Sequence, residues 1–165
     1  MRGTGHRRAG RAQSEHDHLL QGGRLMPARE TVEVGDQLPV VEHVIDQDML
    51  IRYAGASGDF NRLHWDPEFA AQVSPTGGVI GHGMLSMGLV SSAVTAWAGG
   101  PEHVAHLSAS FRAPCPVGAT LRVGGEVTEV DHDGGAATVA VWAETEDGAR
   151  VVDAKGSRAV VRLSD

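Results

Sequence analysis

Apolar residues crowd together in one stretch of this chain. Residues 83–98 read Gly-Met-Leu-Ser-Met-Gly-Leu-Val-Ser-Ser-Ala-Val-Thr-Ala-Trp-Ala. The pattern predicts a helix that is apolar nearly all round, and such a helix must be covered by other structure. Gly88 in its interior costs about 1 kcal/mol against alanine, so a close neighbour is expected there. Gly99-Gly100-Pro101 ends it. The run falls short of the ~18 apolar residues of a membrane span, and Ser86, Ser91, Ser92 and Thr95 interrupt it.

After this helix every apolar run reads as strand: Val104 to Ala113, Thr120 to Val130, Ala136 to Thr145 and Arg150 to Leu163. Asp133-Gly134-Gly135 and Asp147-Gly148 between them read as hairpin turns. Before the helix, Val34-Gly35-Asp36 turns the chain into a strand from Leu38 to Ile45. Asp46 is a suitable N-cap for a helix from Gln47 to about Ala56. Asp66-Pro67-Glu68 opens a second short helix to about Val73, because Asp caps and Pro suits the first turn. A long helix followed by an antiparallel meander gives the α+β class.

The chemistry concentrates between the first two helices. Asp59 stands five residues before His64, with Asn61 between them, Gly58 ahead and Asp66-Pro67 behind. Glycine and Asp-Pro mark a turn. A turn can aim a carboxylate and an imidazole at one small volume, where they hold a water and move protons near neutral pH. Taken alone, such a pair is more often a surface or structural one. What strengthens it is Gly78-Val79-Ile80-Gly81-His82-Gly83-Met84-Leu85, which leads into the long helix.

The run Ser57-Gly58-Asp59-Phe60-Asn61-Arg62-Leu63-His64-Trp65-Asp66, then Gly81-His82-Gly83-Met84-Leu85, resembles the MaoC-type hydratase/dehydratase family, also called R-specific enoyl-CoA hydratases. The usual family pattern is Ser-x-Asp-x-Asn-Pro-x-His-x-Asp followed by Ala-His-Gly-Met. Ser110-Phe111-Arg112-Ala113-Pro114 with Pro116-Val117-Gly118 is similar to the family's Phe-Arg-x-Pro-x-x-x-Gly strand. These motifs, in the family's order, cover Glu33 to Leu163. His64-Trp65-Asp66, Gly83 to Gly88 and Val94 to Trp97 also resemble the catalytic subunits of mycobacterial hydroxyacyl-carrier-protein dehydratases. Two positions depart from the pattern. Arg62 stands where the family has proline, so the turn loses a fixed φ, and Gly81 stands where it has alanine. Neither replaces a catalytic side chain.

The resemblance implies a hotdog fold, an antiparallel sheet wrapped around the long helix. It implies reversible hydration/dehydration between trans-2-enoyl and (R)-3-hydroxyacyl thioesters of coenzyme A or acyl carrier protein. Asp59 and His64 would be the catalytic pair. His64 on the C2 proton and Asp59 on the water is the preferred assignment, which the sequence leaves open. The Gly83 N–H, unpaired at the helix start and near the positive end of its dipole, would hold the thioester oxygen. A side chain there would block close approach. Asn61 would orient the water or fix the loop. Ser91 would contact the pair, although a serine bonded to its own helix backbone is as good a reading. His82 reads as a structural residue of the turn. Arg112 reads either as a contact to the carrier's phosphates or as a solvated strand residue. Tyr53, Trp65 and Trp97 are expected to pack.

Two alternatives compete: a non-catalytic hotdog subunit that binds acyl thioesters, and a hotdog thioesterase. The intact Asp59/His64 pair argues against the first and the histidine loop against the second. No cofactor is expected, since no Gly-rich dinucleotide motif follows a strand. No metal is expected either, since no third ligand stands at a suitable spacing.

Composition sharpens this picture. The 165 residues suit one domain. Net charge is −7 and unevenly placed. Five arginines precede Met26 against Glu15 and Asp17, whereas nine basic residues face nineteen acidic ones from Met26 on. The acidic part is a poor candidate for nucleic acid. Residues 1–25 have no helical or strand period and lack the apolar core of a secretory signal. They are expected to be a disordered extension ahead of a domain over residues 26–165. His6, His16 and His18 there are too weak a signal for a metal site. A single cysteine, Cys115, excludes an intramolecular disulfide and fits a reducing cytoplasm. It lies between two prolines with no histidine beside it, so an inert thiol is expected. One hotdog leaves strand edges open. A homodimer is therefore favoured, with a heterodimer of related hotdog subunits as the alternative.

Overall fold

The computed structural model describes residues 27, 28 and 30–164, so the expected N-terminal extension lies outside the described residues. In chain order the elements are β1 (Val41–Val44), α1 (Gln47–Ser57), α2 (Pro67–Val73), α3 (Gly83–Ala98), β2 (Val104–Ser108), β3 (Thr120–Asp131), β4 (Ala136–Thr145), β5 (Arg150–Val152) and β6 (Arg158–Arg162). Single 3-10 turns cover Arg62–His64, Pro101–His103 and Ala154–Gly156. The strands form one antiparallel sheet in the order β1-β3-β4-β6-β2, with β5 also paired to β4. α3 packs against β2, β3, β4, β5 and β6. Among the described residues, no helix is long and apolar enough to cross a membrane.

Alternation along the strands builds the surface that receives α3. On β4, Ala137, Val139, Val141 and Ala143 are buried while their neighbours are only half so. On β3, Leu121, Val123 and Val127 are fully buried. α3 answers with Leu85, Val90, Val94 and Ala98. Each fully buried valine or leucine contributes about 1.5–3 kcal/mol, so the sheet and this helix form the mechanical centre of the molecule.

The structure corrects several expectations. Arg150 to Leu163 is not one strand. Asp153 accepts from the Lys155 N–H and caps a 3-10 turn over Ala154–Gly156, which separates β5 from β6. The strands are not a simple meander either: β2 follows α3 but pairs with β6 at the far edge, away from β3. α3 is not covered all round. Met84, Gly88, Ser92 and Ala96, four residues apart, form an exposed stripe. A Cβ on Gly88 would meet nothing within 4 Å, so the expected close neighbour is not found in this chain.

Candidate active site

The loop between α1 and α2 is built by short polar fasteners. Gly58, at φ 76°, ends α1 in the left-handed region and turns the chain outward. Ser57 Oγ accepts the Asp59 N–H at 3.2 Å while donating to the Tyr53 carbonyl at 2.8 Å. Asp59 Oδ1 accepts the Asn61 N–H at 3.2 Å. Asn61 Oδ1 in turn accepts the Leu63 N–H at 3.1 Å and caps the 3-10 turn that carries His64. Gln47, in the first turn of α1, donates to the His64 carbonyl at 3.2 Å.

Asp66 fastens the far end of the loop. One oxygen accepts the Phe69 N–H at 3.0 Å and caps α2; the other takes the Arg62 guanidinium at 2.6 and 3.0 Å. The Phe69 N–H first, and Arg62 next, hold the Asp66 carboxyl below its ordinary range. The same guanidinium lies 4.6 Å from the centre of the Phe69 ring. Arg62 thus restrains through its side chain a turn that proline would restrain through its backbone.

His64 is buried, and its Nδ1 lies 2.8 Å from the Ile80 carbonyl. A carbonyl only accepts, so Nδ1 carries the proton and Nε2 is left free to act as a base. His82, only 2% exposed, occupies the N-cap of α3 without capping it. Its Nε2 donates instead to the Asp59 backbone carbonyl at 3.1 Å, and its Nδ1 is buried without a partner. The His64 and His82 rings stack with centroids 3.8 Å apart and planes 25° apart. Tyr53 packs on His82 at 4.8 Å in a tilted arrangement. Burial holds the His82 pKa below its ordinary value; the Asp59 carbonyl opposes this and His64 adds to it.

Ligand-type atoms of Asp59, His64 and His82 all lie within 4.8 Å of one another. A third candidate metal ligand therefore exists, which spacing within the loop did not reveal because it comes from the start of α3. The set nevertheless does not fit a metal. Near-parallel stacked rings send their in-plane lone pairs side by side rather than to one point, and a tetrahedral site needs convergence. His82 also commits Nε2 to Asp59 and seals Nδ1 in the interior. What remains is a proton-transfer arrangement.

His64 opens onto a cleft of about 270 Å³, lined also by Gly81, Gly83, Ser86, Phe111 and Arg112. Gly83 is the first residue of α3, and the carbonyl before it already accepts the Leu85 and Ser86 N–H groups. The Gly83 N–H has no partner within the helix. A Cβ at Gly83 would lie 3.7 Å from the Phe111 ring and fill the gap between α3 and the opposite wall. Cys115 also lines the cleft, but burial pushes its thiol up to about 11, so it is an inert wall.

The remaining expected residues fall in different places. Asp59 and Asn61 are exposed and do not line the cleft. The Asn61 side-chain oxygen is spent on the loop itself. Ser91 is half-buried farther along α3 and does not line the cleft. Ser86 does, buried one turn after Gly83, and its three-residue spacing from that glycine was the missed signal. Arg112 has its Nε 3.4 Å from Asp153 and is more than half exposed, so it is an ion-paired residue of the cleft rim. Trp97 packs against the core as expected, whereas Trp65 is exposed and donates to the Phe60 carbonyl at 3.0 Å.

Residues 29–148 match a family model described as the MaoC like domain. The chain belongs to this family. Both the Asp59/His64 loop and the start of α3 lie inside the matched residues of the MaoC-like domain. The 3-hydroxybutyryl-CoA dehydratase of Methylorubrum extorquens is 32% identical over 102 residues, which are 61% of this chain and 64% of that protein. The chain therefore spans somewhat less than two thirds of that relative's length. A solved MaoC-like dehydratase superposes with a TM-score of 0.78 at 34% identity, covering 84% of this chain and 43% of that one. The (R)-hydratase from A. caviae involved in PHA biosynthesis superposes with a TM-score of 0.73 at 32% identity, covering 81% and 98%. The MaoC-like domain thus has the α+β hotdog fold that its sequence predicts.

Proposed function

We propose that this MaoC-like domain is a hydro-lyase that interconverts trans-2-enoyl and (R)-3-hydroxyacyl thioesters of coenzyme A or acyl carrier protein, within the acyl metabolism of the cytoplasm. One observation carries the reading. His64 commits its Nδ1 proton to Ile80, which leaves Nε2 as its base, and its side chain lines the cleft with a ligand-type atom within 4.8 Å of an Asp59 carboxylate oxygen.

In the dehydration direction, His64 Nε2 removes the C2 proton. The enolate oxygen that forms accepts the Gly83 N–H at the positive end of α3. The C3 hydroxyl leaves as water with a proton from Asp59. The proton gained by His64 balances the one given by Asp59, and with the two groups within 4.8 Å of one another a single bridging water returns it. Hydration reverses each step, with Asp59 deprotonating the water that adds to C3. Positioned acid–base groups of this kind contribute about 10²–10⁴-fold in rate. Asn61 fixes the loop, and Ser86, rather than Ser91, adds a hydroxyl to the cleft wall.

The active form is a dimer. β1 and β2 are the edges of the sheet, and β1 exposes Val41 and Val44. Such edges are covered by pairing, with a second copy or with a related hotdog subunit. Following the enoyl absorbance of crotonyl-CoA on adding the purified chain tests the function. Loss of absorbance without free thiol supports hydration, and release of free thiol marks a thioesterase. Unchanged absorbance with tight binding marks a binding subunit or a missing partner, which co-expression of a second hotdog chain and light scattering then decide.

A further inference from the structure

Reading the site as a hydratase leaves His82 without a role, although it touches both members of the catalytic pair. We infer that His82 is a positioning residue that holds Asp59 and His64 in register with the Gly83 N–H; this rests on the hydratase reading. The N-cap position normally takes a side chain that accepts from the first turn of its own helix. His82 forgoes that bond and reaches back to the Asp59 carbonyl at 3.1 Å. Its other nitrogen is buried without a partner, which a residue selected for packing alone would avoid by being apolar. In return its ring presents a flat face to His64 at 3.8 Å.

The hydrogen bond fixes where the backbone of Asp59 sits, and the stack fixes the plane in which His64 Nε2 points. Both originate from the residue next to Gly83, at the rigid start of α3. The oxyanion donor and the clamp on the acid–imidazole pair are therefore consecutive residues on one element. Burial lowers the His82 pKa, which favours the neutral ring where it lies against His64.

Two substitutions separate the contacts. His82→Gln keeps a donor near the place of Nε2 and loses the ring; His82→Phe keeps the ring and loses the donor. With the full chain and crotonyl-CoA, each is expected to lower kcat by roughly 10- to 100-fold, the usual penalty for a slightly misplaced catalytic group, with KM within about 3-fold and the circular dichroism unchanged. Placed in an Asp59→Asn background, His82→Phe should add little further loss, because the two residues act as a unit. A merely structural histidine would add the same loss in both backgrounds and would overturn the inference, as would a normal kcat in both folded variants.

A readout independent of turnover is the proton spectrum of the His64 ring. The stack predicts an upfield shift in the wild-type chain that persists in His82→Phe and disappears in His82→Gln. An unchanged His64 resonance in His82→Gln overturns the clamp. A wild-type chain that leaves crotonyl-CoA untouched both alone and with a co-expressed hotdog partner sinks the hydratase reading instead, while the ring shift still decides whether His82 holds His64.

Discussion

The sheet with α3 and the loop between Ser57 and Asp66 are held by opposite means. Leu121, Val123, Val139 and Val141 are fully buried and direct apolar side chains at α3. In the loop Asp59, Phe60, Asn61, Arg62 and Trp65 are exposed and His64 is the buried exception. The loop keeps its shape through hydrogen bonds from Ser57, Asn61, Gln47, Asp66 and His82. A typical hydrogen bond contributes a net ~0.5–1.5 kcal/mol, against about 1.5–3 kcal/mol for a buried aliphatic side chain. Stability therefore resides in the sheet and the proposed chemistry in the loop, and substitutions should separate the two.

The largest separation belongs to the proposed catalytic pair. Asp59→Asn and His64→Ala are each expected to lower turnover of crotonyl-CoA by at least ~100-fold, with circular dichroism showing the fold retained. Near-normal turnover in either variant would break the assignment. The converse change is Leu121→Ala, which leaves a cavity in the core and is expected to cost about 2–5 kcal/mol in denaturant unfolding. Turnover per folded molecule should stay close to that of the parent chain. If it fell as far as in the dyad variants, sheet and loop would not be separable.

Asp66→Ala joins the two regions. Removing the carboxylate takes away the α2 cap and the ion pair with the exposed Arg62 side chain, and is expected to lower stability modestly. A modest fall in kcat should accompany it as the loop loosens, and urea unfolding with parallel kinetics checks both. The smallest effect concerns pH. The folded-state pKa of His82 lies below its ordinary value of 6.5, mainly through burial. As pH falls, the unfolded chain takes this proton first, so the contribution is intact above about 6.5 and is lost as pH drops from there toward the folded value. His82→Phe should flatten that part of the stability curve, measured as urea midpoints at pH 7.5 and pH 5. An equally steep curve in the variant would mean that His82 does not titrate this way.

What could be read from the sequence follows the same division. Asp46 and Asp66 cap the helices assigned to them, and α3 runs from Gly83 to Ala98 as its apolar run and Gly99 predict. These are local signals: a cap, a proline, a glycine stop. The break between β5 and β6 was hidden because apolar valines flank it on both sides and its cause, the Asp153 turn, is a short polar step. The exposed stripe on α3 was hidden because small and apolar residues read alike whether or not anything covers them. His82 reads from the sequence as a structural residue of the turn, but its contacts cannot be read there. Its stack on His64 and its bond to Asp59 exist only once the loop is folded back onto α3, and no spacing along the chain encodes that. Asp59 and His64 stood out as an acid and an imidazole on one turn, and the motif resemblance strengthened them and added Gly83, whereas Ser86 needed the helix phase of Gly83 to distinguish it from Ser91.

Whether Asp59 and His64 add water across an enoyl thioester is decided by incubating the chain with crotonyl-CoA in heavy water and weighing the product. The expected product is a 3-hydroxybutyryl thioester carrying one carbon-bound deuteron at C2, formed at least ~100-fold more slowly by His64→Ala. Crotonate with free coenzyme A, or a labelled product formed at the same rate without His64, would contradict it.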